Sequence, residues 1–219
     1  MIQKSTFRFL KSLKKNNNRE WFGDHKSDYL EAWADFEQLV QGILDAVCKN
    51  DPSLSGLRAK DCMFRIYRDT RFSKDKTPYK SNFSAAFSRG GKMSHSPGYY
   101  FHIAPGGSFF GGGIWMPDTQ ALRKIRQEID FNLKDFRKII SAKPYRSLFG
   151  PLEDESALSR PPKGYSDDNP AIEYLKMKSF FSGAELKDNV VLSPKFTREA
   201  VRIFKTVKPL VEFLTRALD

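Results

Sequence analysis

From Cys62 to Trp115 the apolar residues recur at every second position and are mostly aromatic or β-branched, whereas on either side they recur every three or four residues. Period two is the spacing of a strand with one buried face, and a period near 3.6 is that of an amphipathic helix. A chain that goes from helix to strand and back, with no strand–helix–strand alternation, is predicted to fold as α+β. We expect one domain with a central, mainly antiparallel sheet of about four to six strands and the helices of the N-terminal and C-terminal thirds packed on it. With 219 residues, 40% of them hydrophobic and 14% aromatic, a sizeable core can be buried, which excludes disorder as the general state.

The segments read as helical over 5–50, sheet-forming over 62–116, helical over 118–141, loop-rich over 144–170, and a short strand with a closing helix over 171–219. Asn17 followed three residues later by Glu20 reads as a capping box that opens a long second helix near Arg19, and Asp51-Pro52 closes it. Candidate strands are Cys62–Tyr67, Asn82–Phe87, Gly98–Ala104 and Ser108–Trp115, with Pro105-Gly106-Gly107 joining the last two as a hairpin. Residues 144–170 hold seven prolines and glycines and read as loop. Ser179–Glu185 is a further strand, and Pro194–Leu218 closes the chain as a helix.

Thirty-seven Lys and Arg against 26 Asp and Glu leave a net charge of +11, which favours an anionic partner. Two cysteines, Cys48 and Cys62, make a poor staple for a chain this long; they read as buried thiols in a reducing, cytoplasmic setting. Three histidines without metal-ligand spacing imply no metal, and no cofactor is implied either. The uncharged stretch Met93–Pro117 holds six glycines and three prolines, a composition unsuited to a membrane span. The first 19 residues carry six basic and no acidic side chains, which superficially suits a presequence, but Phe9 and Leu13 four apart read as one face of a first helix.

The densest charge feature is Arg58–Lys80, with eight basic residues against three acidic ones and a net charge of +5. On an extended Cys62–Tyr67, Arg65 projects among large side chains, and its planar fork suits recognition of carboxylate or phosphate.

RDTRFSKDKTPYKSNF in this segment, NNNREWF upstream, and GGGIWMPD and PPKGY downstream resemble the uncharacterised family catalogued as domain of unknown function twenty-four sixty-one. The resemblance runs from about Phe9 to Leu214. It implies no activity, substrate or residue role, so the function has to be read from the residues.

Three readings of residues 65–80 compete. In the first, Arg65, Arg68, Arg71, Ser73, Lys74, Lys76, Tyr79 and Lys80, with Lys163 closing from the stiff Pro161-Pro162 loop, bind a phosphate- or carboxylate-bearing small ligand. In the second, Asp69 and Asp75 pair with the arginines and the segment is an ion-paired knot. In the third, the segment is a nucleic-acid or interaction surface on which Phe72 or Tyr79 stacks; its mixed charge signs count against it. An enzyme acting on a phosphorylated metabolite is a further alternative, with His102, on the same strand face as Tyr100, as its candidate acid or base. Gly111-Gly112-Gly113 fits a bulge or a close packing on the Trp21 helix better than a phosphate cradle. Trp21, Trp33 and Trp115 are expected in the core, with Trp21 also placed to wall a pocket.

Overall fold

The structure is a computed structural model and describes residues 1–219. In chain order the elements are α1 (Lys4–Lys15), α2 (Arg19–Asp24), α3 (Lys26–Cys48), a 3-10 turn at Pro52–Leu54, α4 (Ala59–Cys62), β1 (Phe83–Ser88), β2 (Gly98–Ile103), β3 (Ser108–Ile114), α5 (Thr119–Phe131), α6 (Leu133–Ser141), α7 (Lys143–Phe149), α8 (Ile172–Leu175), β4 (Phe180–Leu186), α9 (Asp188–Val191) and α10 (Phe196–Leu218). This is an α+β fold around a four-stranded antiparallel sheet in the order β1-β2-β3-β4. No helix is long and apolar enough to cross a membrane.

Several local expectations are corrected. Asn18, rather than Asn17, caps α2 by accepting the Trp21 N–H at 2.9 Å, and the long second helix breaks at His25. Cys62–Tyr67 is not a regular strand: Cys62 ends α4, and beyond it only Met63 with Ala85 and Tyr67 with Tyr79 form antiparallel bridges. Between those bridges three residues on one arm face five on the other, and such a bulge prevents a continuous ladder. Inside the stretch read as loop, Lys143–Phe149 is helical because Pro144 occupies the first turn, where its missing N–H costs nothing. Of the two free thiols, Cys62 is buried and its pKa is pushed up to about 11 by desolvation, while Cys48 is only half-buried.

The chain forms two compact units. The first comprises residues 1–93, 100–110 and 185–202. In it, the pleat turns Phe83 and Phe87 of β1, Phe101 of β2 and Phe110 of β3 towards the core, each no more than 1% exposed. Phe36, at the centre of the apolar face of α3, packs on Phe83 at 5.4 Å and Phe101 at 5.9 Å. Phe101 stacks on Phe110 at 5.0 Å, and Phe196 meets Phe110 edge-on. Full burial of a side chain of this size is worth about 1.5–3 kcal/mol. Alternation leaves Tyr100, His102 and Phe109 on the opposite face of the sheet, half-buried.

The second unit comprises residues 94–99, 111–184 and 203–219. Phe136 of α6 is its aromatic hub, meeting Tyr174 at 5.1 Å, Phe213 at 5.2 Å and Phe180 of β4 at 6.4 Å. Tyr145 of α7 is buried, its hydroxyl bonded to that of Ser182, and desolvation pushes the phenol up to about 12. The glycine run serves packing, but against different partners from the Trp21 helix. A Cβ on Gly111 would stand 2.7 Å from the Gly183 Cα of β4, and one on Gly112 would stand 2.7 Å from Val207 Cγ1 of α10. Gly113 combines such an approach, 2.8 Å to the Phe181 Cα, with a φ of +132°. Trp115 is also corrected: it is 72% exposed, because Met116 turns the chain at φ +44° and donates its N–H to Ser179 Oγ as β3 ends.

Gly113→Ala adds a methyl group against the β4 backbone at a dihedral only glycine tolerates, and is expected to cost about 3 kcal/mol. Gly107→Ala, with nothing within 4 Å of the new carbon, should stay within about 0.5 kcal/mol of wild type. Urea unfolding midpoints check the pair.

Candidate functional site

The 65–80 segment is held at its base by helix α2 and the turn before it. Asn17 donates from Nδ2 to the Tyr79 carbonyl at 2.9 Å and accepts the Tyr79 N–H at 3.1 Å, so one amide satisfies both backbone groups of that residue. The Tyr79 ring stacks on Phe22 at 3.9 Å and is 6% exposed. Tyr79 therefore anchors the segment; it is not a free lining residue.

Much of the charge in the segment is used internally. Arg68 donates to the Asp75 carboxylate and to Thr77 Oγ1, and Asp75 also accepts the Thr77 N–H at 2.9 Å. The Arg68 hydrogen bond, followed by those from Thr77, draws the Asp75 pKa down to about 2. Arg71 grips Asp69 with both arms of its fork, Nε to Oδ1 at 3.0 Å and Nη2 to Oδ2 at 2.6 Å, which lowers the acid and raises the base. Lys76 Nζ donates to the Thr70 carbonyl at 2.9 Å, and the Ser73 N–H reaches the same carbonyl at 3.3 Å. The Arg71–Asp69 pair is exposed and the Arg68–Asp75 pair only half-buried, and such pairs contribute little to stability one by one. Their effect is conformational: they fix a loop that has no regular hydrogen-bond ladder.

Arg65, Lys74 and Lys80 are different, because their side chains make no ion pair or hydrogen bond. Lys74 and Arg65 are exposed, but Lys80 is half-buried, its Nζ 5.5 Å from the centre of the Phe64 ring. Burial first, and the nearby Arg65 charge second, push the Lys80 pKa below 10.5. From Phe64 a strip of rings continues along the half-buried sheet face: Tyr100 at 6.4 Å from Phe64, His102 at 5.8 Å from Tyr100, and Phe109 at 5.8 Å from His102. Desolvation raises the Tyr100 phenol, against a smaller opposing pull from Ser84.

His102 Nε2 lies 2.8 Å from the Gly107 carbonyl. A carbonyl only accepts, so Nε2 carries the hydrogen and Nδ1 keeps the lone pair. Burial lowers the His102 pKa below 6.5, against the opposing pull of that hydrogen bond and of Glu185.

Sequence reasoning found the basic segment and the shared face of Tyr100 and His102, but missed Asn17 as the clamp and Phe64 as the link from Lys80 to that face. Both depend on contacts distant in sequence. Lys163 lies exposed in the second unit, beside Gly164 at φ +94°.

An α+β chain with a cation-edged aromatic strip on one sheet face is the class that fold and geometry define. The family model described as conserved hypothetical protein (DUF2461) matches residues 5–213, and the chain belongs to that family. No curated protein and no solved structure matches it.

A histidine whose folded pKa lies below its unfolded value binds more protons when unfolded, so it costs nothing above about pH 6.5 and costs stability as pH falls from there towards the lowered value. The lowered aspartates act in a separate window: Asp69 and Asp75 add stability above about 3.8 that is lost as pH falls further, for Asp75 through about 2. We expect His102→Gln to flatten the fall in urea midpoint just below pH 6.5 and to leave the fall below pH 3.8 unchanged. A His102→Gln slope just below pH 6.5 equal to that of wild type would refute the burial assignment.

Proposed function

We propose that the chain binds a phosphate- or carboxylate-bearing small ligand, with Arg65 and Lys80 holding the anion and the Phe64–Tyr100–His102 strip carrying the rest of the molecule. One observation carries this reading: two neighbouring cations, one of them half-buried, make no ion pair or hydrogen bond with the protein, and Asp69, gripped by Arg71, reaches Arg65 only as a longer-range charge. An anion between them removes their repulsion and favours the charged form of Lys80, while the Arg65 fork supplies two parallel hydrogen bonds. Arg68, Arg71, Lys76 and Tyr79 act as the frame of the site and Ser73 and Lys74 as its rim; Lys163, in the second unit, is left out of this reading. Neutral His102 offers a lone pair at Nδ1 to a ligand N–H or O–H, as an acceptor or as the base of an enzyme acting on a phosphorylated metabolite.

A second reading, a single-stranded nucleic-acid surface, is favoured by Phe72, which is 95% exposed with the Arg71 guanidinium 5.9 Å from its ring centre. Asp69 and Asp75 oppose it by placing negative charge on the same loop.

The two separate in solution. Tens of millimolar phosphate, at ionic strength matched with chloride, should raise the melting temperature of wild type and of Arg71→Met, and leave Arg65→Met and Lys80→Met unmoved. A phosphate shift in all four proteins, or in none, would overturn the Arg65–Lys80 site. Salt-sensitive oligonucleotide binding lost in Phe72→Ala would establish the second reading instead.

A further inference from the structure

The first unit holds a recess of about 350 Å³ between α1, the Trp21 helix and the start of α3. It shares no residue with the Arg65–Lys80 site. Arg8 and Ser12 line it from α1, four residues apart and so on one helix face; Asp28 and Glu31 line it from α3, three residues apart and also on one face. Trp21 and His25 close one end as stacked rings, 4.0 Å apart and 16° from parallel.

Charges of both signs line this recess without pairing with each other. Arg8, Asp28 and Glu31 make no ion pair and no side-chain hydrogen bond, although both signs line one small space. The aromatic wall is fixed in advance: His25 Nδ1 lies 2.9 Å from the Trp21 carbonyl, so Nδ1 carries the hydrogen and Nε2 is left as the available ring nitrogen.

From this geometry we infer that the recess binds a basic α-amino acid. The carboxylate of the ligand meets Arg8, and its two cationic groups meet Asp28 and Glu31. One cation against two carboxylates leaves the lining one negative charge in excess, which a ligand of net charge +1 balances and an acidic amino acid worsens.

The test uses L-arginine and L-lysine as ligands, with L-glutamate and matched sodium chloride as controls, and follows the Trp21 indole N–H signal by NMR during titration. L-arginine or L-lysine should shift that signal saturably while L-glutamate does not. Glu31→Gln and Asp28→Asn should each weaken binding at least tenfold, Arg8→Gln should do the same, and Arg65→Met should leave it unchanged. These side chains are exposed, so the variants keep the fold. A shift that does not saturate, or that survives the Glu31, Asp28 and Arg8 substitutions, would overturn the proposal. Loss of binding in Arg65→Met would overturn its independence from the anion site.

Discussion

The strand pleat is the constraint on which the first unit rests. Phe83, Phe87, Phe101 and Phe110 all go to one face to meet Phe36 and Phe196, so their neighbours in sequence have no choice of side. Tyr100, His102 and Phe109 are thereby fixed on the opposite face, half-buried, before any ligand is considered. A one-residue slip in register would put His102 into the core and Phe101 into solvent, so the aromatic strip is as well determined as the core that opposes it.

Electrostatics then divide the basic segment into two populations. Arg68 and Arg71 are committed to Asp75 and Asp69, carboxylates two to seven residues away, and hold the loop in shape. Arg65 and Lys80 have no such partner, and Lys80 gives up part of its hydration to lie on Phe64. A cation held away from water without a counter-charge is unfavourable in the empty protein and favourable once an anion arrives. The Asn17 clamp and the Phe22–Tyr79 stack keep the segment against its helix, so that the free cations are presented from a fixed base.

Much of this architecture was legible in the sequence because period alone decides it: β1, β2, β3 and β4 fall within one or two residues of the candidate strands, and α5, α6 and α10 begin close to where Asp118, Asn132 and Pro194 signal. What was not legible depends on partners distant in sequence. Nothing local distinguishes Asn17 as a clamp on Tyr79 from Asn17 as a helix cap, and the bulge that breaks Met63–Tyr67 arises from the return arm, not from the arm itself. Trp115 was expected inside from its size; the turn at Met116 carries it out. The ion-paired reading of Arg68 and Arg71 and the ligand reading of Arg65 were posed as rivals, yet each describes different residues of the same segment.

The most direct test of the account is the ionisation of Lys80 itself. Its side-chain 13Cε signal, titrated with base in chloride and again in inorganic phosphate at equal ionic strength, reports whether an anion sits beside it. The account predicts a pKa below 10.5 in chloride that rises when phosphate is present. A Lys80 that titrates identically in both would contradict it.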